Sequence, residues 1–337
     1  MSFFTQIKIQ EFPWKMDYSK RMMFFGSCFS ENIGQKLIDL KFNVDLNPFG
    51  ILYNPISIAN SLRILLENRI FTESDLFQDH GLWNSFYHHS RFSDVDREAA
   101  LEKINSRIAL SREFLLNTDF LIITLGTSWV YELKETEQVV TNCHKVSAAQ
   151  FKRYRLDVAE ITKVYGELLN DLARFNPNLK LVFTVSPIRH WKDGAVENQL
   201  SKATLLLAVD HLIKGAENKN SAYFPSYELM MDELRDYRFY GQDMLHLSAV
   251  ATQYIFERFA GAMISNNSME IAKEVVKVRK AVLHRPVNSA SVEYERFLLY
   301  NLQEIIKLTI NFPYLDFSNE KKHFEQDLAG IQESRIS

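Results

Sequence analysis

The chain opens its first clear pattern at Met22–Phe25, an apolar run that ends at Gly26 and reads as a short buried strand followed by a sharp turn. Ile33, Leu37 and Ile38 then fall at helical spacing and predict a helix over about 31–40. Phe42–Leu46 alternates apolar and polar and predicts a second strand, running into the turn signal Asn47-Pro-Phe-Gly50. Pro55 opens a helix with Ile58, Leu62, Leu65 and Leu66 on one face. Residues 75–95, rich in His and aromatics, have no clean period and read as a long loop. Leu101, Ile104 and Ile108 set the register of a helix over about 96–117. Asp119–Leu125 is the strongest strand signal and ends in Gly126-Thr-Ser-Trp129. After a polar loop around Asn142–Lys145, the positions Val158, Ile161, Leu168, Leu172 and Phe175 define a long helix that Asn176-Pro177 stops. Lys180–Val185 gives a further strand ending in Ser186-Pro-Ile-Arg-His190, a helix follows over about 197–217, and Ala222–Phe224 is a last strand before a helix at 249–263.

Strands alternating with helices of this length imply βαβ units: a parallel sheet with right-handed crossovers and helices on both faces, an α/β/α sandwich. In such sheets ligands bind beyond the carboxyl ends of the strands, so the polar segments that follow each strand are expected to gather on one rim. From about residue 265 the pattern holds helices without strands: Val292, Leu298, Leu299, Leu302, Ile305 and Ile306 mark an apolar helix and the tail from 318 is charged. The expected organisation is an α/β domain over 1–264 and a helical C-terminal extension over 265–337, packed on the core or offering a surface for a homo-oligomer.

Composition adds limits. The 337 residues are 46% hydrophobic and 24% charged, with a formal net charge of −3 and no basic block, which argues against nucleic acid or an anionic membrane as partner. Two cysteines, Cys28 and Cys143, build no disulfide framework, and Met1–Ile9 lacks the pattern of a secretion signal, so a reducing cytoplasm is the expected location. No apolar run approaches the length of a membrane span.

Candidate chemistry concentrates at strand ends. Ser27 and Cys28 are potential nucleophiles at a helix N-terminus, where unpaired N–H groups favour a developing oxyanion and a thiol ionises more readily. A plainer reading, a Gly turn with a Ser cap and a small buried Cys, also fits this stretch alone. Asp243 and His246, three apart, can point the same way, the carboxylate fixing the imidazole tautomer and stabilising the imidazolium. Arg189 and His190 offer contacts to a substrate carboxylate or hydroxyls, or else stabilise a turn. His88-His89 and Cys143-His144 are metal-ligand types that lack a tight ligand spacing, so neither metal nor cofactor is expected. Trp83, Phe86, Tyr87 and Trp129 suit a sugar-binding cleft or, more plainly, aromatic core and lid packing.

Gly26-Ser-Cys-Phe-Ser30 resembles the signature of the GSCFA domain family, which is grouped with the SGNH (GDSL-like) hydrolases and their flavodoxin-like sandwich. Asn47–Gly50, Thr124–Thr127, Asn142–Lys145, Ser186–His190, Ser201-Lys202, Tyr223–Glu228 and Leu234–Tyr240 leading into Asp243–His246 extend the likeness over roughly residues 20–262. The resemblance implies an esterase-type nucleophile–His–Asp catalytic triad, with His246 as general base and Asp243 as its orienter. Aligned without gaps, Cys28 stands at the nucleophile; a one-residue slip restores a serine. Gly50 matches the glycine whose N–H enters the oxyanion hole, and Gly126 begins the next block, where Ser128 replaces the usual asparagine. The implied function is hydrolysis or acyl transfer on an ester, with an acylated carbohydrate as the substrate class. Ser128 leaves a catalytically silent ligand-binding protein as the alternative, and a zinc-dependent hydrolase as a third reading.

Overall fold

The apolar runs at 22–25, 119–125 and 180–185 lie side by side at the centre of one sheet in the computed structural model, which describes residues 5–215 and 220–336. In chain order the strands are β1 (Arg21–Gly26), β2 (Asn43–Leu46), β3 (Phe77–Asp79), β4 (Leu82–Asn84), β5 (Phe120–Leu125), β6 (Trp129–Leu133), β7 (Val139–Val140), β8 (Phe151–Arg155), β9 (Lys180–Val185) and β10 (Ser221–Tyr223). The helices are α1 (Cys28–Asp39), α2 (Pro55–Glu67), α3 (Arg97–Leu116), α4 (Val158–Phe175), α5 (Gly194–Gly215), the single turn α6 (Ser226–Glu228), α7 (Ala249–Met263), α8 (Asn266–Val282), α9 (Val292–Asn311) and α10 (Ser318–Ile336).

The main sheet has the order β10-β9-β5-β1-β2 and every pairing in it is parallel. This is the flavodoxin-like arrangement of a doubly wound sheet, with its switch point between β1 and β5. All six residues of β5 are buried, because helices cover both faces and a continuous apolar run replaces the alternation of a half-exposed strand. The side chains still alternate between faces. Met22, Phe24, Phe120 and Ile122 join one core with α1 and α7, whereas Met23, Phe25, Leu121 and Ile123 join a second with α2, α4 and α5. The C-terminal helices belong to the first core: Val275 of α8, Leu298 and Ile305 of α9 and Phe324 of α10 are buried with Met22 and Phe24.

Three features depart from the pattern-based expectation. Residues 75–95 are not all loop, since β3 and β4 pair antiparallel across His80-Gly81. A second antiparallel sheet, β7-β6-β8, stands where no strand is expected. Helix α1 starts at Cys28 rather than near 31, because Ser27 takes the cap and its hydroxyl accepts the Phe29 N–H. That places Cys28 in the first turn of α1. Among the described residues, no helix is long and apolar enough to cross a membrane.

Candidate active site

At the carboxyl end of β1 the chain turns through Gly26, whose φ is +148°. A Cβ there would lie 2.5 Å from the Thr124 carbonyl oxygen of β5, so a side chain would force the two central strands apart. The turn delivers Ser27 and Cys28 to a cavity of about 490 Å³. The cavity is walled by Tyr53 and Asn54 before α2, Thr127 after β5, Ile188 to His190 after β9, Trp129, Tyr131 and Arg153 of the small sheet, Asn142 and Cys143 of its loop, and His246. The strand-end segments thus converge on one rim.

Ser27 is buried, and besides capping α1 its hydroxyl lies 3.1 Å from Ser186 Oγ. Cys28 is half-buried and borders the same cavity. Burial pushes its thiol up, against the pull of the Phe29 and Cys28 N–H groups and the positive charge of Lys202. The easier ionisation expected at a helix N-terminus is therefore outweighed by desolvation. Cys143, whose thiol burial also pushes up, lines the cavity too.

Asp243 and His246 occupy a tight loop closed by a bridge between Tyr240 and Leu247, with Met244 turned at φ +58° between them. Asp243 Oδ1 accepts the N–H groups of Leu245 (3.0 Å) and His246 (2.9 Å), and Oδ2 lies 2.5 Å from His246 Nδ1. The His246 hydrogen bond, followed by these N–H donors, holds the Asp243 carboxyl down at about 2. The imidazole is thereby fixed through Nδ1, which leaves Nε2 as the nitrogen that can take a proton.

The groups expected on the oxyanion side are engaged elsewhere. The Gly50 N–H donates to the Asn47 carbonyl (2.8 Å) and closes the turn, and Gly50 does not border the cavity. The Gly126 N–H donates to the Tyr53 carbonyl (2.8 Å). Ser128 is fully buried, with both its N–H (2.8 Å) and its hydroxyl (3.1 Å) directed to Ser201 Oγ. Asn54 stands on the cavity wall instead, where its Nδ2 spends one hydrogen on Ser57 Oγ (3.0 Å).

His190 packs edge-on to Tyr53 (5.3 Å between ring centres), and its Nε2 is buried without a partner. Burial, helped by Lys202 and His246, lowers it to about 4, so the ring is neutral. Arg189 borders the cavity beside it. His88 lies away from the cavity, stacked on Phe49 at 4.9 Å and fully buried, and His144 bonds the carbonyl oxygens of Ser85 and His88. Among the described residues, no three His, Cys, Asp or Glu side chains group as metal ligands.

The model of the GSCFA family matches residues 21–259, and that of the GSCFA domain protein C-terminal domain matches residues 275–330. The chain belongs to the GSCFA family. No curated protein matches this GSCFA chain. Among solved structures it is similar to an acetyl xylan esterase (Est2A) from the rumen bacterium Butyrivibrio proteoclasticus, at 12% identity and a TM-score of 0.37. That match covers 72% of this chain and 63% of the other, so the chain spans less than two thirds of that protein. A carbohydrate esterase family 3 protein from Talaromyces cellulolyticus matches at 10% identity and TM-score 0.35, covering 76% of this chain and 99% of that one. A carbohydrate esterase family 2 enzyme with its carbohydrate-binding domain, from Corynascus thermopiles (Myceliophthora fergusii), matches at 13% and 0.39, covering 74% and 67%. Likeness at this level transfers neither a substrate nor a site.

Sequence reasoning gave no role to Lys202, which this GSCFA chain buries completely. Its ammonium donates to the carbonyls of Gly126 and Ser186, both at 2.6 Å, tying together the ends of β5 and β9. Burial pulls it down to about 7, opposed by its electrostatic interaction with Cys28. A signal for it exists in the sequence: Asn198, Ser201, Lys202, Leu205 and Val209 share the inward face of α5, an unusual place for a lysine.

Proposed function

We propose that this GSCFA protein is an ester hydrolase or acyltransferase in which Cys28 is the nucleophile, His246 the general base and Asp243 its orienter. The observation that carries this reading is the Asp243–His246 pair, held at 2.5 Å beside the cavity that Cys28 borders. The two side chains are 48% and 58% exposed, where an ion pair adds little to stability. A general base needs both the fixed tautomer and the access to solvent that this loop provides.

The chemistry follows from the surroundings. Burial keeps Cys28 as a thiol, so its proton leaves to His246 Nε2 as the sulfur attacks the ester carbonyl. The Cys28 N–H at the start of α1 and the second Nδ2 hydrogen of Asn54 are the donors that support the tetrahedral oxyanion. Collapse expels the alcohol, protonated by His246, and leaves a thioester on Cys28 that water or an acceptor hydroxyl clears. The aromatic wall of Tyr53, Trp129 and Tyr131 suits the ring of an acylated carbohydrate.

The test is hydrolysis of 4-nitrophenyl esters and acetylated sugars by wild type, Cys28→Ala, Ser27→Ala and His246→Ala, with folding of each checked by circular dichroism. Cys28→Ala and His246→Ala are expected to lose about a thousandfold or more in kcat/KM. Ser27→Ala should retain turnover and lose about 1 kcal/mol of stability through its cap. Loss in Ser27→Ala with survival of Cys28→Ala would make the nucleophile a serine. Absence of turnover in the wild type would favour the silent binding protein, a reading that the engaged N–H groups of Gly50 and Gly126 already support.

A further inference from the structure

The charges around the site do not balance. Of the charged residues on the cavity wall, Arg153 is paired with Asp193, and Lys192 donates to the Tyr131 hydroxyl. Arg189 has no carboxylate partner among the described residues: its Nη2 meets only the Met231 sulfur at 3.7 Å, and its Nε–H is buried without an acceptor. A guanidinium held half-buried and uncompensated is unfavourable unless something answers its charge.

Arg189 also borders a second hollow of about 580 Å³, which Cys28 does not line. Every carboxylate that faces this hollow is already engaged. Asp236 is bound to Arg238 at 2.8 Å and Asp243 to His246, and the other arginine there, Arg235, is paired with Asp232 at 3.0 Å. Trp191 lies under the Arg189 guanidinium at 5.9 Å and holds it where the two spaces meet.

We infer that the substrate of this site is an anion whose carboxylate or phosphate binds Arg189, with the ester reaching Cys28 in one cavity and the remainder lying in the hollow beside Trp191. The inference rests on the esterase reading for its position along the substrate. A guanidinium edge matches a carboxylate or phosphate with two parallel hydrogen bonds, which a neutral ester cannot supply.

The experiment compares neutral esters with counterparts that carry one carboxylate, each rate corrected for uncatalysed hydrolysis. One pair is phenyl acetate and 4-acetoxybenzoate, with the charge on the leaving group. The other is 4-nitrophenyl butyrate and mono-4-nitrophenyl succinate, with the charge on the acyl group. Wild type should prefer the charged member of at least one pair by roughly tenfold or more in kcat/KM. Arg189→Met should bring that ratio close to one, and Arg189→Lys should keep part of it. A wild type without preference in either pair, or a preference that survives in Arg189→Met, overturns the inference. Should no ester be turned over, the hydrolase reading fails, and tryptophan fluorescence of the wild type titrated with benzoate and with phenyl phosphate decides the anion site alone. A saturable change lost in Arg189→Met supports it, and the responding probe separates carboxylate from phosphate. No saturable change, or one retained in Arg189→Met, overturns it.

Discussion

Cys28 sits between opposing influences, and their balance sets how the thiol behaves. Burial raises its pKa, while the N–H groups at the start of α1 and the buried ammonium of Lys202 lower it. Burial is the larger, so the thiol should ionise above the range of a free cysteine. In a Cys143→Ala background, needed because Cys143 borders the same cavity, the rate of alkylation by iodoacetamide should rise with a midpoint above that of a free cysteine. A midpoint near neutrality would mean that Cys28 is pre-ionised and needs no base. Lys202 carries a linkage of its own, because its folded pKa of about 7 lies below the ordinary 10.5. Its charging therefore opposes folding: the penalty is complete below about 7, shrinks as pH rises towards 10.5 and vanishes above it. Relative to Lys202→Met, the wild type should gain melting temperature as pH increases from 7 towards 10, and a flat difference would count against a buried charged amine. The sequence made Gly26, Ser27, Cys28, Asp243 and His246 legible because their types and spacings are chemical. Lys202 was not legible by type, since a lysine in a helix ordinarily points to water.

Elements were legible in proportion to how completely they are buried. The runs of β1, β5 and β9 are apolar on both faces and admit no other reading, and α7 was expected over the residues it occupies. The small sheet gave no comparable signal. Phe151-Lys-Arg-Tyr-Arg155 has one buried residue in five, and its long polar side chains act as wall: Arg153 lies over the Trp129 ring at 4.3 Å and pairs with Asp193. A strand made for a cavity wall is polar where a core strand is apolar, so the period is lost. The same logic hides a buried anchor between the turn after α6 and helix α7. There the turn Leu229–Glu233 places a carboxylate with no side-chain exposure against Arg258 of α7 at 2.8 Å. Tyr254 donates to the same carboxylate at 2.7 Å, and Arg258 reaches the Ile7 carbonyl at 2.6 Å. Removing one partner strands the other charge in the interior. Glu233→Gln should therefore cost about 3–5 kcal/mol in urea unfolding. A loss below about 1 kcal/mol would show that the pair is dispensable and that packing alone seats the turn on α7.

At the scale of the whole molecule, the pattern separated an α/β region from a helical tail but did not say how far the two depend on each other. The packing does. Met22 and Phe24 of the first strand share one buried cluster with Val275, Leu298, Ile305, Phe317 and Phe324. Met16 pairs with Ile264 at the junction, and its N–H and carbonyl bond the Met263 carbonyl (2.7 Å) and the Ser265 N–H (2.9 Å). Ion pairs cross the same boundary, Lys41 with Glu320 at 2.7 Å and Arg279 with Asp39 at 2.9 Å. Ending the chain after residue 264 would uncover the apolar side of α1 and α7, a patch far larger than a scattered surface residue and of the kind that drives association. The shortened chain should be recovered mostly as aggregate, or should bind a hydrophobic dye and unfold without a sharp transition. Polar substitutions give the control within the full chain. Leu298→Asn should lower the melting temperature, whereas Leu299→Asn, on the exposed side of the same helix, should leave it nearly unchanged. A shortened chain that is monomeric and melts cooperatively near the full-length temperature would show that the helices are an independent unit. The shared cluster predicts the opposite, because the helices that carry Cys28 and follow His246 are buried together with residues of the tail.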